Sequence, residues 1–199
     1  MMDCTAHDMD GREFVIWSNA RPYDSDETYA KAIRNRSSKS GYVDVFLNKM
    51  YPLYLAKESF DMKSVVTFHM SCISKWGWGC CHGGDLVRDM TEKPQLQVIS
   101  RGDSGIHRIL AVDIPGERFL TEHLFTVDES GYDYPPGTKY GGSGGFTAYQ
   151  FVLQFFKPRS ITLCNFGLDD GWKTKFGEKH NLDFEQQYYK ENNVCQIRI

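Results

Sequence analysis

The sequence predicts one α/β domain, spanning residues 1–199, with a mostly parallel sheet and helices on both faces. Short apolar runs rich in β-branched and aromatic residues recur along the chain, and helical patterns lie between several of them. The runs are nearly continuous in apolar residues, which is typical of strands covered on both sides. A chain of 199 residues is long enough for one such domain and too short for two ordinary ones.

Each predicted strand is a short apolar run bounded by polar or glycine-containing residues. In chain order the strands are Phe14–Trp17, Val43–Leu47, Val65–Phe68, Leu96–Ile99, Ile109–Val112 and Ile161–Cys164. The first predicted helix, Asp26–Asn35, has acidic residues in its first turn and basic ones in its last, as the helix dipole favours. Phe146–Phe156 is predicted as a buried helix. Asp183–Glu191 is predicted as an amphipathic one, with Phe184 and Tyr188 on its apolar face.

A long surface loop is predicted over residues 127–145, which are rich in glycine and also contain proline. Loops of this length in a small domain are usually functional or mobile. We therefore expect this segment to act as a lid over a binding site.

The charge balance argues against a broadly basic nucleic-acid-binding protein, because 23 Lys and Arg face 26 Asp and Glu. No apolar stretch approaches the ~18 residues that a membrane-spanning helix needs. The first residues lack the basic region and apolar run of a secretory signal. We therefore expect a cytoplasmic protein with no membrane span, in which the six cysteines are reduced.

A glycine-rich turn precedes the buried helix and is the first candidate binding site. Gly142 and Gly144 permit close backbone approach to a ligand, and the N–H groups that open the following helix favour an anion such as phosphate. Ser143 adds a hydroxyl group. The alternative is an ordinary flexible turn.

Polar residues follow three predicted strands. Ser18 and Asn19 follow the first strand, Asn48 follows the second, and Asn165 and Asp169 follow the last. Ligands of open α/β sheets bind at the carboxyl ends of the strands, so these side chains are predicted to contact a nucleotide or sugar. The alternative is that they cap turns and helices.

Five segments together resemble a known family. They are Ser18–Pro22, Asp44–Tyr51, Gly142–Gly144, Ile161–Asp169 and His180–Glu185. In this order they resemble the motifs of the family 42 glycosyltransferases, the bacterial lipooligosaccharide sialyltransferases. They also resemble the related domain of motility-associated glycosyltransferases and of 6-hydroxymethylpterin pyrophosphokinase-like proteins.

The resemblance implies a Rossmann-like, metal-independent transferase whose co-substrate is a nucleotide-activated sugar. On this reading Asn19, Asn48, Ser143 and Gly144 contact the nucleotide or sugar, and His180 is the general base that deprotonates the acceptor hydroxyl. Histidine suits that role independently, because its neutral ring accepts a proton near pH 7. A surface histidine beside a helix start is the alternative.

Two lysines stand where the sialyltransferases have tyrosines. Lys173 and Lys175 lie between the last strand and His180 and would neutralise the leaving phosphate as point charges. The acceptor is left open between a glycan, a small molecule and a modified DNA base. A homo-oligomer is compatible with the sequence.

Two other functions are kept as alternatives. A pyrophosphokinase-like enzyme would use Asp169 and Asp170 to hold Mg²⁺, and a non-catalytic module would only bind or sequester a nucleotide. No resident metal is predicted.

A zinc site is a separate, weaker alternative. Its ligands would be His69, Cys72, Cys80 and His82, but their spacing contains no C-x-x-C pair.

Overall fold

The structure is a computed structural model, and it describes residues 9–20, 24–37, 41–48, 50–70, 91, 94–103, 106–113, 118–126, 142–166 and 180–199. The strands are β1 (Glu13–Trp17), β2 (Tyr42–Leu47), β3 (Val65–Met70), β4 (Leu96–Asp103), β5 (Ile106–Asp113), β6 (Arg118–Thr126), β7 (Ser160–Cys164) and β8 (Cys195–Ile197). The α-helices are α1 (Asp26–Ser37), α2 (Tyr51–Leu55), α3 (Gly144–Phe156) and α4 (Leu182–Glu191). Two short 3₁₀ helices lie at Lys57–Ser59 and Met62–Ser64.

All these strands form one sheet in the order β6-β5-β4-β3-β2-β1-β7-β8. Every neighbouring pair from β4 across to β8 is parallel, whereas β5 and β6 extend the sheet as antiparallel strands. From β1 the chain builds outward through β2 and β3, and it later returns to the other side of β1 with β7 and β8. The strand order therefore reverses between β1 and β7, as in Rossmann-like sheets. The predicted fold class is confirmed.

Two apolar cores, one on each face of the sheet, bury the central strands β1, β2, β3 and β7. The apolar core under α3 and α4 includes Phe14, Ile16, Val45, Phe68, Phe146, Phe151, Phe156 and Tyr189. The core under α1 and α2 includes Val15, Trp17, Tyr29, Ile33, Phe46, Leu53 and Cys164. Adjacent strand residues alternate between the two cores because side chains in a strand point to opposite faces.

One end of the sheet is antiparallel, because β5 pairs in the opposite direction with both β4 and β6. The predicted strand at Ile109–Val112 is the middle of β5 and runs antiparallel to β4. Strand β6 was not predicted, because in its sequence RFLTEHLFT three polar residues separate two short apolar pairs, so no continuous apolar run forms. Strand β8 was missed because it is only three residues long.

The glycine-rich end of the predicted loop is part of a helix. Gly144 and Gly145 form the first turn of α3, so this helix begins two residues before the predicted Phe146. Residues 127–141, which make up the rest of the predicted lid, lie outside the described residues. Within the ranges that the structure describes, no helix is long and apolar enough to cross a membrane.

Candidate functional site

The predicted site residues that the structure describes lie at one edge of the sheet. Ser18 and Asn19 follow β1, Asn48 follows β2 and Asn165 follows β7, so all four stand at carboxyl ends of parallel strands. Helices α3 and α4 begin at this same edge, because α3 leads into the start of β7 and α4 leads into the start of β8. That edge also contains Gly142, Ser143, Gly144 and His180.

Asn19 links the end of β1 to the end of β2 through two side-chain hydrogen bonds. Its side-chain nitrogen donates to the carbonyl of Leu47 at 2.8 Å, and its side-chain oxygen accepts from the backbone N–H of Tyr51 at 3.1 Å. Tyr51 is the first residue of α2, so the same amide also caps that helix. Asn19 is partly exposed, and each of its polar atoms can make a second hydrogen bond.

Ser18 links the end of β1 to the end of β7. Its backbone N–H donates to the carbonyl of Cys164 at 3.0 Å, which extends the pairing of these strands by one residue. Its hydroxyl accepts from the N–H of Ala20 at 2.8 Å and shapes the turn after β1. Asn48 continues the next pair, since its N–H donates to the carbonyl of Phe68 and its φ of 40° is left-handed.

An acid and a phenol form a further contact close to Asn19, whose side chain accepts from the N–H of Tyr51. The hydroxyl of Tyr51 donates to the carboxylate of Asp26, which links the first residues of α2 and α1. Ser25 caps α1, accepting from the N–H of Thr28 at 3.2 Å. The start of α1 therefore presents carboxylate, phenol and hydroxyl groups rather than an open anion site.

Asn165 is held by internal contacts. It is 1% exposed, its side-chain nitrogen donates to the Tyr29 hydroxyl at 3.0 Å, and its side-chain oxygen accepts from the N–H of Ile199. Its φ of 60° suits asparagine, which tolerates the left-handed region better than most residues. In this conformation both polar atoms of the Asn165 side chain make internal hydrogen bonds, which anchor the residues after β8, and its predicted ligand contact stays a prediction.

A carboxylate occupies the helix start that was predicted to hold phosphate. Glu185, in the first turn of α4, accepts from the backbone N–H of Ser143 at 2.6 Å and from the Ser143 hydroxyl at 2.6 Å. The same hydroxyl accepts from the N–H of Phe146 and caps α3. Glu185 is 3% exposed. An internal anion thus satisfies the electropositive start of α3, and a phosphate cannot reach the Ser143 N–H unless Glu185 moves.

The glycines around this contact serve close packing. A Cβ atom added to Gly142 would stand 2.5 Å from Cδ1 of Phe146, and one added to Gly145 would stand 2.3 Å from Cε1 of Phe166. Both distances are far below van der Waals contact. The absence of a side chain at Gly145 therefore lets α3 approach Phe166, which follows β7, whereas at Gly142 it leaves room for the Phe146 ring of α3 itself.

His180 stands at the entrance to α4. Its carbonyl accepts from the N–H of Leu182 at 3.0 Å, and the next residue, Asn181, caps the helix through a bond from the N–H of Phe184. His180 is partly exposed. Its backbone position is therefore fixed by the start of the same helix that carries Glu185.

The remaining predicted site residues lie outside the described residues. They are Lys173, Lys175, Asp169 and Asp170, together with the proposed zinc ligands Cys72, Cys80 and His82. His69 is described and is buried at the end of β3. In the described part of the chain, no three Asp, Glu, His or Cys side chains come together as a metal site.

A partly buried carboxyl group lies deeper in the sheet, on the face covered by α1. Burial raises the pKa of Asp44 to about 6, against the opposing effects of a hydrogen bond from the Trp17 indole and the charges of Arg36 and Arg12. Its position in the middle of β2 separates it from the carboxyl edge. We therefore treat it as part of the fold.

Comparisons with known proteins do not extend this description. The chain matches no family model, no curated protein and no solved structure significantly. Fold topology and side-chain geometry are thus the observations on which a functional proposal rests.

Proposed function

We propose that this protein binds a nucleotide-activated sugar at the carboxyl edge of the sheet, in the crevice where the strand order reverses between β1 and β7. The observation that carries the proposal is the coincidence of this reversal point with the polar ends of β1 and β2 and with His180. In open α/β sheets the reversal point is where ligands bind. The resemblance to nucleotide-sugar transferases supports the same ligand class.

The polar groups of this edge suit a ligand rich in hydroxyl groups. Asn19 offers a partly exposed amide and Asp26 an exposed carboxylate, both of which pair with ribose or sugar hydroxyls, while the buried Ser18 shapes the turn after β1. Asp26 and Glu27 in the first turn of α1, like Glu185 at α3, disfavour a phosphate at either helix start. We therefore expect the sugar or ribose, rather than the phosphate, to lie against these side chains.

The donor phosphate then needs cations from elsewhere. Lys173 and Lys175 follow β7 in the sequence and precede His180, so they belong to the connection that leaves this edge. Their ammonium groups would neutralise the charge on the departing nucleotide. In the binding step, the ends of β1 and β2 would therefore recognise the sugar, and Lys173 and Lys175 would bind the phosphate.

The reaction that we propose is a displacement at the anomeric carbon. The acceptor oxygen forms a bond to that carbon as the bond to the phosphate oxygen breaks, and the nucleotide leaves with the electron pair. A ring nitrogen of His180 takes the acceptor proton. No resident metal is required. We expect the reaction to occur in the cytoplasm, on a glycan, a small molecule or a modified DNA base.

A thermal-shift panel tests the binding step. CMP-, UDP-, GDP- and ADP-sugars are added to the whole protein, and one of these classes should raise its melting temperature. Asn19→Asp should weaken that shift, because aspartate cannot donate to the ligand or to Leu47, whereas Asn192→Asp on the exposed end of α4 should not. Absence of a shift with every donor would reject the proposal, and a shift that requires Mg²⁺ would favour the pyrophosphokinase-like alternative.

A further inference from the structure

The contact between Glu185 and Ser143 joins two helices that start at the same edge of the sheet. Both bonds measure 2.6 Å and both end on one carboxylate, which is buried at 3% exposure. Bonds to an ionised carboxylate are among the stronger hydrogen bonds in proteins. The first turn of α4 is therefore fixed against the first turn of α3 by a specific contact in addition to apolar packing.

His180 is linked to this contact through the backbone of α4. The N–H of Glu185 donates to the carbonyl of Asn181, and the N–H of Leu182 donates to the carbonyl of His180. Both bonds lie within the first turn of the helix. A shift of Glu185 relative to Ser143 would thus displace the residues that carry the imidazole.

We propose that Glu185 is a positioning residue for His180, acting through its two-bond contact with Ser143. This inference rests on the proposed role of His180 as the general base. Glu185 touches neither substrate nor proton in this account. It holds the start of α4 so that the imidazole faces the acceptor, and small misplacements of a reacting group reduce rates strongly.

Two substitutions of Glu185 distinguish its effect on the position of His180 from the effect of its charge. Glu185→Gln and Glu185→Ala remove the same negative charge, but only glutamine keeps an oxygen that accepts from the Ser143 N–H. A purely electrostatic influence on His180 would therefore be equal in the two variants. A positional influence would leave glutamine close to the wild type and alanine far from it.

The measurement is the NMR titration of the His180 ring in the whole protein, with its signal assigned by its loss in His180→Gln. We expect Glu185→Ala to alter the ring shifts and the titration midpoint more than Glu185→Gln does. Gln187→Ala, which removes an exposed bond to Glu191 on the same helix, should leave both unchanged. Identical His180 spectra for Glu185→Gln and Glu185→Ala would overturn the inference.

A second variant covers the case in which Glu185→Ala does not fold. Ser143→Ala keeps the carboxylate and its bond from the Ser143 N–H, and it loses the hydroxyl bond to Glu185 together with the cap on the N–H of Phe146. No charged group is removed, so a change at His180 is positional. An unchanged His180 signal in folded Ser143→Ala would also overturn the inference.

Turnover distinguishes failure of this inference from failure of the transferase proposal. With a donor that the protein uses, Glu185→Ala should lower turnover by up to about 100-fold, and Glu185→Gln should lower it far less. Normal turnover in Glu185→Ala would reject the positioning role and leave the transferase proposal standing. If Glu185→Ala displaces the His180 signal but the wild-type protein turns over no donor, the positioning role stands and the transferase proposal is rejected.

Discussion

The indole nitrogen of Trp17 donates a 2.8 Å hydrogen bond to the carboxylate of Asp44, tying the end of β1 to the middle of β2. Trp17 itself is buried, and its ring stacks on Phe46 and meets Phe60 edge-on. A partly buried carboxyl group thus borders an aromatic part of the core. The energetic consequence is a stability that depends on pH.

Asp44→Asn should stabilise the protein above pH 6 and change its stability little near pH 4. The folded state raises the pKa of Asp44 from 3.8 to about 6, so stability is highest when the carboxyl is protonated and falls as pH rises through this window. The full effect is at most about 3 kcal/mol. Denaturant unfolding of both proteins at pH 4.5 and 7.5 measures it, and equal differences at the two pH values would contradict it.

Gly145→Ala should destabilise the protein by about 1 to 3 kcal/mol, because the new methyl group would overlap the ring of Phe166. The matched control is the same substitution in a Phe166→Leu background. If the ring is the obstacle, Gly145→Ala costs less there, and the two changes are not additive. Additive free energies of unfolding would show that another contact is responsible.

Asn19→Ala should destabilise the protein by about 1 to 3 kcal/mol, since it removes the side-chain acceptor of the Tyr51 N–H. It also removes one of the two hydrogen bonds to the carbonyl of Leu47, which keeps the bond from the N–H of Met50. Asn192→Ala is the matched control, because Asn192 is exposed and makes one local side-chain bond within its own helix end. Chemical denaturation of both variants measures the difference. Similar losses in the two would argue against the role of Asn19 in joining β1 to β2.

Cys195 should react with iodoacetamide at pH 8, whereas Cys164 should react only after unfolding. Cys195 is exposed, while burial at the end of β7 raises the pKa of the Cys164 thiol to about 12 and suppresses the reactive thiolate. Peptide mass mapping after timed alkylation separates the two cysteines. Alkylation of both at the same rate in the folded protein would contradict the burial of Cys164.

The parallel part of the sheet follows from the sequence pattern, and the site geometry follows from it only in part. Continuous apolar runs such as Val43–Leu47 identify strands because burial on both faces excludes polar residues. Strand β6 does not meet that criterion because it mixes polar and apolar residues. Its pairing with β5 is a long-range property that no local run reveals.

Side-chain roles at the edge were harder to predict than positions. Glu185 looks like an ordinary acidic residue in a first helical turn, and its partner Ser143 is 42 residues away in the sequence. Asn165 follows a strand as a ligand-binding residue would, yet its bonds go to Tyr29 and Ile199. Polar residues at strand ends either bind ligands or form internal hydrogen bonds that hold loops in place. Only the contacts in the folded structure distinguish these two roles.

The central claim is that His180 serves as the general base of a sugar transfer at this edge. The most direct measurement compares donor binding and product formation in the wild type and in His180→Ala, for a donor that shifts the melting temperature. The account predicts nearly unchanged donor affinity and a loss of transfer of about 100-fold or more. Transfer at the wild-type rate by His180→Ala would contradict it.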